Sequence, residues 1–177
     1  MFRKTVYCLI AIVVCGAFLV SSNLFAQAGD PALQAKVKEA IAALQQKTGI
    51  MGAARVSGTE ALGAATVPVL YFGDTKINQN YEIVDALKAT LGCTATLFVK
   101  DGTDFVRIST NVMKDDARAI GTKLAADGKA YAAISKGDSF FGTVDILGKQ
   151  YETGYVPIKS ATGDVIGIYY VGYLLAQ

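Results

Sequence analysis

The stretch DVIGIYYVGYL, Asp164–Leu174, constrains the fold of this chain more than any other. Alternate side chains of a strand point to opposite faces. Here Ile166, Ile168 and Tyr170 form one set and Val165, Tyr169, Val171 and Tyr173 the other, and both sets are apolar or aromatic. A strand of that kind is covered on both faces and belongs in the middle of a sheet. Two further strands are predicted before it, Phe140–Leu147 and Lys149–Lys159, joined by the short turns Leu147-Gly148 and Ser160–Gly163. Such short connections make neighbouring strands antiparallel.

Upstream, TATLFVK (Thr94–Lys100) and DFVRISTNV (Asp104–Val112) predict a hairpin around the favoured turn pair Asp101-Gly102. VPVLYF (Val67–Phe72) predicts a strand that Pro68 assigns to an edge or to a strand start. In PALQAKVKEAIAALQQK the residues Leu33, Val37, Ile41 and Leu44 recur at helical spacing, so Pro31–Lys47 is expected to be an amphipathic helix stopped by Gly49. A second helix, capped by Asn78 or Asn80, is expected to run to about Thr90 with Ile83, Val84 and Leu87 on one face. The small, glycine-rich segment Ile50–Thr66 predicts a loop or a short irregular strand. Met113–Gly137 is expected to be helical or looped, with Tyr131 and Ile134 turned inward. The expected class is α+β: an antiparallel sheet of about five or six strands, the first helix on one side and crossing segments on the other.

At the N-terminus, Arg3 and Lys4 precede an uncharged apolar run, Val6–Val20, followed by polar residues and Ala26-Gln27-Ala28. This is the pattern of a secretory signal peptide, 1–28, with the mature chain starting at Gly29. The alternative is an uncleaved inner-membrane anchor, although the run is shorter than the ~20 apolar residues that span a bilayer. Cys15 follows bulky Val14, which does not suit a lipoprotein signal. Removing 28 of the 177 residues leaves 149, with Lys+Arg falling from 17 to 15 and Asp+Glu staying at 15. A neutral chain without a basic cluster argues against nucleic acid. Cys93 is the one cysteine left, so no internal disulfide is available.

The chain contains no histidine. That excludes a Ser-His-Asp triad, an HExxH zinc site and a CxxCH haem attachment. DGTD at Asp101–Asp104 lacks the ligand spacing of a calcium loop and reads as a turn. Gly142 and Gly148-Lys149 fail the spacing of a phosphate loop. No cofactor, no metal and no enzymatic activity are expected.

Two polar strips remain. Lys149, Tyr151, Thr153 and Tyr155 share one face of their strand, opposite Gln150, Glu152, Gly154 and Val156. On the hairpin strand the alternation puts Phe105, Arg107, Ser109 and Asn111 on one face, with Val106, Ile108, Thr110 and Val112 on the other. If the strips lie under one loop, they form a concavity with aromatic walls and aimed donors, the character of a small-molecule site. Arg107 would hold a carboxylate through paired hydrogen bonds, and the tyrosine hydroxyls would fix the remainder. The alternative is that both strips face water. Arg118 and Lys123 are likewise either lid contacts or a solvated face.

The segments LYFGDTKIN (Leu70–Asn78), ATLFVKDGTDFVRISTNV (Ala95–Val112), RAIGTKL (Arg118–Leu124), AYAAISKGDSFFG (Ala130–Gly142) and GKQYETGYVPIKSATGDVIGIYYVGYLL (Gly148–Leu175) resemble the Cache family of extracytoplasmic sensor domains. The likeness is to the Cache 3/Cache 2 fusion type of bacterial chemotaxis receptors and sensor kinases. It implies a PAS-like antiparallel sheet preceded by a long helix, with 67–177 as the sensor unit forming one domain with the helix and irregular segment of 29–66. It also implies a pocket for a small organic solute, often a carboxylate or an amino acid, and favours the pocket over the solvated face. Arg107, Ser109, Asn111, Arg118, Lys149, Tyr151, Thr153 and Tyr155 are the ligand-binding candidates. Because the sequence ends at Gln177 with no second membrane helix, the expectation is a free periplasmic binding module that partners a membrane chemoreceptor or sensor kinase. A non-catalytic interaction module that dimerises through the first helix is the alternative.

Overall fold

The computed structural model describes residues 30–63 and 65–176. The expected signal segment and its cleavage site lie outside them. Among the described residues no helix is long and apolar enough to cross a membrane.

Helix α1 (Pro31–Gly49) starts where Asp30 accepts a hydrogen bond from the Ala32 amide, with Pro31 in the first turn. Both features suit a helix start, whose first amides lack partners. Val37, Ala40, Ile41, Leu44 and Thr48 are buried, while the outer face is charged and polar, including Lys36, Lys38, Glu39 and Lys47.

Strands β1 (Ala54–Leu62) and β2 (Ala65–Phe72) form an antiparallel hairpin, and β3 (Thr75–Lys76) adds to β2. The nine-residue β1 corrects the expectation of loop or short irregular strand. Only Leu62 of β1 is buried, so this strand is held by its backbone ladder and carries almost no apolar alternation to read. Helix α2 (Glu82–Leu91) buries Ile83, Val84 and Leu87. The Asn80 side chain accepts from the Glu82 amide at its start, and left-handed Gly92 ends it.

Strands β4 (Thr94–Asp101) and β5 (Asp104–Thr110) form the predicted hairpin. A small pair, β6 (Met113–Lys114) and β7 (Ala117–Arg118), and the short helix α3 (Lys129–Ile134) follow. Strands β8 (Phe140–Ile146), β9 (Lys149–Lys159) and β10 (Val165–Leu174) complete a five-stranded antiparallel sheet of order β5-β4-β10-β9-β8. The doubly apolar strand is in the centre. Leu97, Val99, Val106, Ile108, Tyr169 and Val171 pack on one face against α1 and α2. Phe98, Phe105, Tyr155, Ile168 and Tyr170 pack on the other against Val112, Ala119, Leu124 and α3.

A single irregularity positions the site. Leu97 pairs with Ser109 and Phe98 with Arg107, so Ile108 is an extra residue in β5. Its carbonyl accepts from the Gln79 amide at 2.7 Å. A bulge of this kind reverses the parity of everything beyond it.

Candidate functional site

Arg107 lies on the Phe98 face of the sheet and is only 6% exposed. Its guanidinium stands over the Phe98 ring at 5.1 Å, and Nη1 donates to Thr122 Oγ1 at 2.6 Å. Thr122 is fixed in turn, because its hydroxyl donates to the Ala119 carbonyl and its own carbonyl accepts from the Arg107 amide. The segment 119–124 thus runs along the outer edge of β5 and closes over the arginine. Nε of Arg107 is buried without a hydrogen-bond partner, and none of the four ion pairs among the described residues includes it. Burial pulls the guanidinium below its ordinary pKa, while Tyr155 and Tyr170 act in the opposite direction. It is still a cation at neutral pH.

Tyr155, on β9, lines a cavity together with Arg107. Its register partner is Tyr170, whose ring lies 4.9 Å away. Burial pushes the Tyr155 phenol up to about 12, and burial raises Tyr170 in the same direction. Both hydroxyls therefore remain protonated and can donate. Arg107 and Tyr155 line a cavity of about 160 Å³ together with Lys123, Leu124, Val144, Asp145 and Ile146. Lys123 is held by Asp104. Asp145 accepts from the Gly148 amide and from Gln150.

The β9 register is unbroken from Tyr151 to Pro157, so Tyr151, Thr153 and Tyr155 do share one face. Thr153 is fully buried and its hydroxyl donates to the Gly142 carbonyl on β8. Tyr151 and Lys149 line a neighbouring cavity of about 210 Å³ with Asn111, Lys88, Thr94 and Met113. The two cavities share Ile146 and Leu147.

Ser109 and Arg118 are placed elsewhere, and Asn111 leaves the Arg107 face but lines the cavity of about 210 Å³ with Lys149 and Tyr151. The Ile108 bulge turns Ser109 and Asn111 to the helix face, and Thr110 takes their place on the Arg107 face beside Thr96. Ser109 donates to the Asn80 carbonyl, while Asn111 donates to the Val84 carbonyl and accepts from the Ala95 amide. Arg118 forms a paired hydrogen bond with Asp85, at 2.9 and 2.8 Å, donates to the Thr110 carbonyl and stacks on Tyr81. It is a clasp between β7 and α2. Sequence reasoning missed Thr122, the hydrogen-bond partner of the arginine, and Tyr170, which packs on Tyr155. The alternation in β10 already placed Tyr170 on a covered face, whereas nothing local marked Thr122.

A family model described as the Cache 3/Cache 2 fusion domain matches residues 23–177. The chain belongs to that family. Cache domains are sensor domains rather than catalytic ones, typically extracytoplasmic, and they take small-molecule ligands within receptors and kinases. Comparison with curated proteins gives no match. On the sheet of this chain, Arg107 and Tyr155 line a concavity of about 160 Å³.

Proposed function

We propose that this chain is an extracytoplasmic Cache sensor for a short organic carboxylate, serving signal transduction of the chemotaxis or sensor-kinase kind. The buried, acid-free guanidinium of Arg107 supports this reading above all else. Taking a cation out of water costs several kcal/mol unless a counter-charge and hydrogen bonds replace the lost hydration. A carboxylate supplies both, as the counter-charge to the guanidinium and through hydrogen bonds from neighbouring donors such as the Tyr155 hydroxyl.

Size and polarity narrow the ligand. A cavity of about 160 Å³ is smaller than the ~300–1,000 Å³ of drug-sized sites. Leu124, Val144 and Ile146 offer it apolar walls. Asp145 lies in the same lining, its two oxygens accepting from Gly148 and Gln150. Calorimetric titration with two- to four-carbon carboxylates and the matching amides tests this. Saturable binding of the acids alone is expected. Equal binding of amides, or no binding of any acid, overturns it.

A further inference from the structure

A further cavity, about 620 Å³, is lined by none of the candidate residues around Arg107. It opens at the end of the sheet where the β4–β5 turn (Gly102, Thr103), the end of α3 (Ser135–Asp138) and the β9–β10 turn (Gly163, Asp164) come together. Its size falls in the small-molecule range of ~300–1,000 Å³.

Lys100, Lys136 and Lys159 each enter from a different wall, and none of them takes part in an ion pair among the described residues. Lys100 pairs with Phe105 and Lys159 with Val165, which sets both ammonium groups above the same sheet face. A Cβ built on Gly137 would stand 4.0 Å from Lys159 Nζ, so that ammonium folds over the turn following α3. Phe105, Ile134 and Val165 give the cleft an apolar floor. The wall is braced: the Tyr131 hydroxyl donates to the Thr103 carbonyl at 2.7 Å, and its ring meets Phe105 edge-on at 5.9 Å. Asp138 and Asp164 also line the cleft, Asp164 accepting from Thr162 within its own turn, so the three lysines exceed the carboxylates by one charge.

Like charges brought together around a concavity repel until an anion bridges them, and they raise the local concentration of anions. A single anionic group reaches one wall. Cations on three walls over an apolar floor suit a ligand with several acidic groups on one compact body. We propose that this cleft is a second binding site, for an organic dianion whose body is an aromatic or similarly flat apolar ring.

The test uses phthalate as the probe and its uncharged diamide as control, titrated into the ¹⁵N-labelled protein. Gly102, Gly137 and Gly163, one on each wall, report through their amide resonances. Saturable shifts of all three with phthalate and none with the diamide are expected. The Lys100→Gln, Lys136→Gln, Lys159→Gln combination removes exposed charges only and should weaken phthalate about tenfold or more. Arg107→Met should leave phthalate binding here unchanged, so the cleft stands or falls apart from the carboxylate cavity. No saturable shift, equal shifts with the diamide, or undiminished affinity in the triple variant overturns the proposal.

Discussion

Arg107 and Tyr155, from strands separated in the sheet by β4 and β10, line one cavity in which the arginine has no acidic partner. The ligand-free protein therefore carries an electrostatic cost at the site. Arg107→Met keeps most of the side-chain volume and removes the charge. It should stabilise the ligand-free protein by about 1 kcal/mol or more. In the same variant the rise in melting temperature caused by a short carboxylate should disappear, since only a state that binds ligand gains from mass action. Paired thermal melts with and without propionate read both effects. Lower ligand-free stability in Arg107→Met would assign the arginine a structural role.

Tyr155 makes stability depend on alkaline pH. Its phenol titrates near 10 when unfolded and at about 12 in the fold because burial disfavours phenolate. A raised folded value means that the contribution is fully present below pH 10 and is lost as pH climbs through 10 towards 12. Two pH units correspond to about 2–3 kcal/mol. Urea denaturation at pH 8, 10 and 11.5 should show that fall, and Tyr155→Phe should flatten it. A Tyr155→Phe profile as steep as wild type would assign the alkaline loss to other groups, Tyr170 first.

How legible the site was depended on how local its causes are. The β9 strip follows an unbroken alternation, so Tyr151, Thr153 and Tyr155 could be placed on one face from spacing alone. The same reasoning on β5 was correct for Phe105 and Arg107 and reversed for Ser109 and Asn111. The bulge at Ile108 is stabilised by Gln79, which is distant in sequence and leaves no mark on β5 itself. β1 was illegible for a different reason: a strand of small, exposed residues has no apolar period. Arg107 was legible as a cation on a strand but not as a buried one, because its cover, Thr122, comes from a segment without periodicity.

Asn111→Ala tests the reversed face. Asn111 is 3% exposed, and its loss strands the Ala95 amide and removes a second donor from the Val84 carbonyl. Removing a buried hydrogen-bonding partner costs about 1–3 kcal/mol per group left unsatisfied, so chemical denaturation should show a loss of that order. Carboxylate affinity, measured where the variant is folded, should stay close to wild type. A large loss of affinity with little loss of stability would return Asn111 to the ligand site.

Arg118→Gln separates clasp from lid. Its pair with Asp85 is partly exposed, with side-chain exposures of 30% and 46%, so solvent screening limits the effect to about 1 kcal/mol or less. The loss should shrink as salt is added. Carboxylate binding should be unaffected, and a tenfold weaker affinity in calorimetry would make Arg118 a contact of the ligand.

Gly154→Ala examines how tightly the sheet is joined to α1. Gly154 neighbours Tyr155 on β9 but faces the opposite side, where a Cβ would lie 2.8 Å from Val37 Cγ1 and 2.9 Å from Phe141 Cε1. Val37 is fully buried in α1 and cannot retreat, whereas the Phe141 ring is 37% exposed and can turn outward. Overpacking of this kind costs about 1–3 kcal/mol. Denaturation should show that loss, and the amide resonances of α1 should shift around Val37. Because the strain is directed away from the cavity, carboxylate affinity should change by less than about threefold if the two faces act independently. A larger change would mean that β9 transmits the position of α1 to the Arg107 cavity, which is the coupling a sensor needs between its ligand and the helix on the far side of the sheet.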